Sequence, residues 1–303
     1  MIRFALCTDL HHDLIPDAPK RLEEFLDGAQ ANKVDFIIHL GDFCCANPCN
    51  RGFLEEWKRF EGPAYHVLGN HDLDHNTKQQ AVDFLGMPAP FYAFDCGSIH
   101  FVVLDVNHLS RKNGVEDYGF GNYFAHPDKL NWLGQEQLAW VAEDLARTQK
   151  RTVFFSHQSL ADSTFGARDA EALHAIFRRE EERCGFQKVI ACFNGHDHTD
   201  GVRCKEGVYY ISVNGASFFY MSSDVQKPWV PSVDTERFPI LREAVLYQDV
   251  LYTIVTITEE SISLSGKKSR YVGPSPIECG HCGHQGGHPA SAEIREKRLW
   301  LHP

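Results

Sequence analysis

Phe4-Ala5-Leu6-Cys7-Thr8-Asp9-Leu10-His11 carries a short apolar run directly into a carboxylate and an imidazole two residues apart. Four later stretches repeat the pattern. Phe36 to Leu40 ends at Gly41-Asp42, and Ala64 to Leu68 ends at Gly69-Asn70-His71-Asp72. Thr152 to Ser156 ends at His157, and Lys188 to Phe193 ends at Gly195-His196-Asp197-His198. Such runs read as buried strands. Strand ends project side chains beyond a sheet, where open α/β sheets bind ligands. Asp9, His11, Asp42, Asn70, His157, His196 and His198 can therefore meet at one edge. Four imidazoles, two carboxylates and one amide make a mixed N/O set suited to Mn, Fe or Zn.

Asp9 and His11 share period-2 spacing, so both can face one cation from an extended segment, and so can His196 and His198. Asp42 has two oxygens and can bridge two cations, with Gly41 letting the backbone turn beside it. Asp197 falls between two ligands and faces away from them on an extended path. His39 reads as a core histidine, and His12 and Asp13 as lining of the mouth.

The ordered set DLH at 9–11, GD at 41–42, GNHD at 69–72, His157 and GHDH at 195–198 resembles the calcineurin-like metallophosphoesterase superfamily over about the first 200 residues. The resemblance implies a four-layer α/β/β/α sandwich of two mixed sheets flanked by helices, with a binuclear metal site at strand ends. It implies one ion on Asp9, His11, Asp42 and His198, and a second on Asp42, Asn70, His157 and His196. It makes His71 the general acid, with Asp72 orienting its imidazole. The implied activity is hydrolysis of a phosphate mono- or diester of a small molecule by a hydroxide bridging the metals. A nuclease or protein phosphatase on the same site is the alternative within enzymes, and a metal-binding scaffold the alternative outside them.

The rest of the chain frames that site. Strand-like and helical segments alternate in the first half, which implies crossovers and a largely parallel sheet. Residues 1–272 read as one domain, with 108–133 as an active-site loop and 217–249 as an excursion, both candidates for a cap. The aromatic residues there make Tyr118, Asn122, Tyr123 and Phe218 candidate substrate contacts, or satellite core under a long loop. Residues 273–303 read as a Gly/Pro/His-rich tail. Its Cys279, His281, Cys282, His284 and His288 leave three readings open: a zinc cluster, a surface-packed tail, or a flap over the mouth.

Among 303 residues, 30 Lys and Arg stand against 41 Asp and Glu, for a net charge of −11. That balance argues against a nucleic-acid partner, which needs phosphate-neutralising cations. It leaves a small phosphorylated substrate open, because metals supply positive charge locally. No apolar run approaches the roughly 20 residues that span a bilayer. With no leader-like segment before Asp9, the expected setting is cytoplasmic, without a membrane partner. Of the ten cysteines, Cys7, Cys96 and Cys192 read as small buried hydrophobes, and Cys44, Cys45 and Cys49 as candidates for the site rim.

Overall fold

The computed structural model describes residues 1–161, 165–222, 225 and 235–301. Two six-stranded sheets dominate them. The first runs Lys297–Trp300, Ser261–Gly266, Thr253–Ile257, Ile2–Cys7, Phe36–His39, Ala64–His66. The second runs Gly201–Lys205, Val208–Ser212, Val189–Asn194, Arg151–Ser156, Ile99–Val103, Tyr92–Cys96. Both are mixed. Strands that feed the motifs pair in parallel, such as Phe4 opposite Phe36 and Phe155 opposite Phe193, and antiparallel strands close every edge but that of Ala64–His66. All motif residues therefore leave their sheets from carboxyl ends.

Alternation along the strands separates two apolar layers. Phe4 sits where the sheets face each other. Its ring stacks on Phe36 at 4.8 Å and meets Phe101, Phe155 and Phe193 edge-on at 5.8, 5.7 and 6.0 Å. The alternate residues Val102, Phe154 and Cys192 face outward, against Leu138, Val141, Leu173 and Phe177 of helices Gln135–Arg147 and Ala170–Cys184. On the first sheet's outer side, helix Ala18–Ala31 buries Leu22, Phe25 and Leu26, and Phe25 stacks on Trp57 of helix Arg51–Trp57 at 5.9 Å. The product is the four-layer sandwich.

Two stretches differ from the sequence reading. The 108–133 segment is not irregular: His108–Arg111 and Gly114–Asp117 form a hairpin, followed by a short 3-10 turn at Asn122–Ala125. Lys78 holds it. This lysine, 5% exposed, opens helix Lys78–Leu85, and its ammonium reaches Asp105 at 2.5 Å, Asp117 at 2.8 Å and the Asn107 carbonyl at 3.0 Å. A buried cation surrounded by acceptors fixes a segment that carries little apolar surface of its own. The stretch read as a tail is also tied in, since Lys297–Trp300 pairs antiparallel with Ser261–Gly266 as an edge strand. Of the 217–249 excursion, Phe218–Tyr220 and Ala244–Leu246 form a two-stranded ribbon, while 223–224 and 226–234, including Trp229, lie outside the described residues.

His100 ties the second sheet to its helices. Its Nδ1 lies 2.7 Å from Asp95 of the neighbouring strand and its Nε2 lies 2.8 Å from Asp144 of helix Gln135–Arg147. Burial pushes this imidazole down, but Asp144 and Asp95 outweigh it and raise its pKa. A histidine raised in the folded state stabilises fully below its ordinary value of about 6.5, and loses that contribution as pH rises through the folded value. The stability gap between wild type and His100→Gln, measured by urea unfolding, is expected to be wider at about pH 5.5 than at about pH 9. A gap that widens toward alkaline pH would contradict this.

Candidate metal centre

Seven side chains from five strand ends converge in the structure. Asp9, His11, Asp42 and Asn70 leave the first sheet, and His157, His196 and His198 leave the second. The His198 Nε2 lies 3.3 Å from Asp9 Oδ1 and 3.4 Å from His11 Nε2. Asp42 Oδ2 stands between the halves, 3.7 Å from His11 Nε2 and 3.1 Å from His157 Nε2. His157 Nε2 is in turn 3.2 Å from Asn70 Oδ1 and 3.3 Å from His196 Nδ1. Two ligands each about 2.1 Å from one ion, at tetrahedral or octahedral angles, stand roughly 3.0–3.4 Å apart. All of these separations but the 3.7 Å between Asp42 and His11 fall in that range, so the residues present fit shared ions.

Asp9 Oδ1 gives a second sign of fit. The residue is fully buried, its Oδ2 accepts from Thr8 Oγ1 and the His196 N–H, and its Oδ1 has no hydrogen-bond partner. That orphan oxygen points at the same histidines. Asp9, His11 and His198 form one group of convergent donors, and Asp9, Asp42 and His157 a second. Outer contacts aim the rings: His157 Nδ1 bonds the Leu40 carbonyl at 2.8 Å, and His198 Nδ1 bonds the Phe218 carbonyl at 2.7 Å. Each leaves Nε2 as the electron-pair donor, as in second-shell control of metal ligands.

The backbone pays for this convergence. Asp9, His11, Asp42, His196 and His198 all have positive φ, from 48° to 64°. Non-glycine residues in that region are uncommon and cluster at functional sites. Glycines make room beside them. A Cβ on Gly69 would meet the Asp42 backbone nitrogen and Oδ1 at 2.1 Å, so the motif needs glycine for approach there.

Charge is balanced toward a cation. Burial alone pushes Asp42 up, but His157 and His71 hold it well below the usual carboxylate range. Burial pushes His157 down, yet Asp42 outweighs it and raises that imidazole to about 10. Burial drives His11 and His196 down to about 3, leaving them neutral, as ligands must be. The buried carboxylates thus call for positive charge, which either a proton or a metal can supply.

The residues beside the centre need one correction. Asp72 does not orient His71. Its carboxylate accepts from the backbone N–H groups of Asp42, Phe43, Cys44 and Gly69, at 2.7–3.1 Å. Asp74 holds His71 instead, with Oδ2 2.8 Å from Nδ1. His71–Leu73 is a 3-10 turn, in which side chains three apart line up while the next residue points elsewhere. Burial pushes His71 down, but Asp42 and Asp74 more than offset it and raise its pKa to about 9. Tyr123 completes the group, its hydroxyl donating to Asp74 and lying 3.3 Å from the Asn70 amide. The i, i+3 spacing of His71 and Asp74 was the signal that could have found this pair.

The other named residues fall in different places. Tyr118 is buried under Tyr123 and bonds Asn131, and Asn122 closes the turn at Gly119, so neither faces the centre. Phe218 is buried too, stacked on His11 at 4.9 Å and His198 at 4.7 Å, and braces those two rings. His39 is core, its Nδ1 taking the Gly41 N–H, and His12 stacks on Phe53 at 4.1 Å. Asp13 accepts from the Cys45 N–H. Cys44 and Cys45 join His11, Asp42 and His71 around a pocket of about 90 Å³. A larger cavity of about 480 Å³, lined by Arg168, Asp197, Arg203 and His288, holds none of the seven ligands. In the last segment Cys279 is buried and Cys282 donates to the His284 carbonyl, and the convergent donor groups among the described residues lie elsewhere.

Known proteins bear on this geometry. The family model described as calcineurin-like phosphoesterase matches residues 2–200. A relative from Oryza sativa subsp. japonica, named manganese-dependent ADP-ribose/CDP-alcohol diphosphatase, is 28% identical over 200 residues, 54% of this chain and 60% of its own length. The match therefore spans less than two thirds of that relative. An Arabidopsis thaliana protein of the same name is 24% identical over 227 residues, 62% of this chain and 72% of its own. A dimetal phosphatase from Danio rerio shares the fold with a TM-score of 0.63 at 14% identity, over 99% of both chains. A purple acid phosphatase from yellow lupin aligns at 0.54 and 14% identity, over 97% of this chain and 53% of its own.

The two aspartates of this segment should separate experimentally. Asp72→Ala strands four backbone donors, and hydrogen bonds to a charged group are worth about 1.5–3 kcal/mol each, not additively. A loss of roughly 3 kcal/mol or more in unfolding free energy is expected, whereas Asp74→Ala should stay within about 1 kcal/mol and lower turnover instead. Equal stability losses in both variants would undo the assignment.

Proposed function

The chain belongs to the calcineurin-like phosphoesterase family and is a metal-dependent phosphoric ester hydrolase, and from that premise we propose that it cleaves a small nucleoside-diphosphate-linked molecule with two divalent cations held on the seven convergent ligands. The position of Asp42 Oδ2, between His11 on one side and His157 on the other, carries the reading of two ions. Manganese and a diphosphate joined to a sugar or alcohol are supported by what the rice and Arabidopsis relatives are named for.

Bound cations in such a pair would neutralise phosphoryl oxygens and lower the pKa of a water so that it attacks at neutral pH. The chain's own residues do the rest. Asp9 and Asp42 give the site its negative charge, and the Leu40 and Phe218 carbonyls fix the His157 and His198 rings. His71 stands at the pocket with Nδ1 committed to Asp74, which leaves Nε2 to protonate or pair with a departing oxygen. Tyr123 holds Asp74 from behind.

Charge on the surface supports a small substrate over a polynucleotide. Arg178 is bound to Glu171 at 2.7 Å and Glu206 at 3.1 Å, and its neighbour Arg179 lies 3.8 Å from Glu180. Such a pair offers no open track for phosphates. No helix among the described residues is long and apolar enough to cross a membrane.

Leaving-group dependence tests the role of His71. His71→Ala should keep its metal content while losing roughly 10²–10⁴-fold in kcat on alkyl phosphodiesters, whose alkoxide needs a proton. The loss should be much smaller for nitrophenyl esters and for diphosphates, because a phosphate leaving group, with a second pKa of about 6, departs as an anion. Equal losses on all three substrates, or loss of an ion, would remove the general acid from the account.

A further inference from the structure

Phe120 and Phe124 are each 66% exposed. Lone exposed apolar residues are ordinary, but these two share one turn whose backbone is firmly held. The Phe120 N–H donates to the Asn76 carbonyl at 3.0 Å, the Gly121 N–H donates to the Leu73 carbonyl at 3.1 Å, and Gly119 pairs with Thr77. Phe120 has a φ of 50°, a left-handed conformation unfavourable for a phenylalanine. The fold therefore holds two large rings in water at a cost in both solvation and backbone strain.

Their location says what the rings are for. The Phe124 ring centre is 6.2 Å from that of His71 and 4.3 Å from that of Tyr123, which stacks in turn on buried Tyr118 at 5.0 Å. Tyr123 lies against one side of the Phe124 ring, which is exposed over most of the remainder. A planar aromatic group can lie on such a face by stacking, which any nucleobase can do. Glu116 and Asp117, on the preceding strand, have side chains 50% and 61% exposed, so an anionic lipid surface is disfavoured there.

We propose that Phe124, assisted by Phe120, is the stacking platform for the nucleobase of a nucleoside phosphate substrate, on the leaving-group side of the scissile bond. The side follows from His71 and rests on the function proposed above. The nucleotide half is then the half that departs, and the other half is the one that receives the oxygen of water.

Equilibrium dialysis of the Mn-loaded chain with AMP and with ribose 5-phosphate isolates the base, since both ligands carry the same phosphate. Wild type should prefer AMP by about tenfold or more. Phe124→Ala should bring that ratio close to one while leaving ribose 5-phosphate binding unchanged, Phe120→Ala should reduce it less, and Phe124→Trp should keep it. The KM for ADP-ribose should rise about tenfold in Phe124→Ala with kcat unchanged. A wild-type ratio near one, or an AMP affinity unaltered in Phe124→Ala, overturns the platform even if ADP-ribose is hydrolysed. The expected ratios in a protein that hydrolyses no phosphate ester would support the platform and refute the proposed function instead.

Discussion

The Asp42 carboxylate ties the two sheets together at their carboxyl ends. It is 2% exposed, its Oδ1 takes the His71 N–H at 2.8 Å, and its Oδ2 faces histidines from both sheets. Its surroundings are built to hold it there. Gly41, at a φ of 100°, turns the chain into it, and Gly69 lies so close that no side chain fits between them. Asp72 clamps the backbone of residues 42–44 from the far side. Five residues of the convergent group in left-handed conformations cost on the order of 1–3 kcal/mol each, so the core beneath must outweigh them. The Phe4 contacts with Phe101, Phe155 and Phe193 supply that core and also fix how the two sheet edges face each other.

A net charge of −11 and a phosphorylated substrate are reconciled at this one place. Negative charge is buried in Asp9 and Asp42, and positive charge must be brought to it. A divalent metal does so and leaves a positive face for phosphate. Asp74 and Asp42 do the matching work for His71, favouring its cationic form at the pocket. Tyr123, braced on Tyr118, links this pair to the loop whose exposed phenylalanines border the mouth. The hairpin behind that loop is in turn held by buried Lys78.

What could be read from the sequence was whatever depends on short range. The apolar runs ending at Asp9, Asp42, Asn70, His157 and His196 mark buried strands and their ends. Their gathering at one edge follows directly, and the sandwich follows from the family resemblance that the ordered motifs carry. The role given to Asp72 failed because adjacency in sequence is not adjacency on a 3-10 turn, where Asp74 lies above His71. Lys297–Trp300 was invisible because an edge strand with half its residues exposed carries no apolar signature, and its partner, Ser261–Gly266, is distant in the chain. The sequence leaves Phe218 open between substrate contact and satellite core, since aromatic character does not reveal which face a ring presents; in the structure it backs the His11 and His198 rings. Exposure of Phe120 and Phe124 was hidden for the same reason, since a phenylalanine is ordinarily expected inside.

Anomalous scattering from crystals of the Mn-loaded protein tests the central claim most directly. The account predicts two manganese peaks roughly 3.5–4 Å apart, both within bonding distance of Asp42, one also on Asp9, His11 and His198 and the other on Asn70, His157 and His196. A single peak, or two peaks of which Asp42 touches only one, would contradict it.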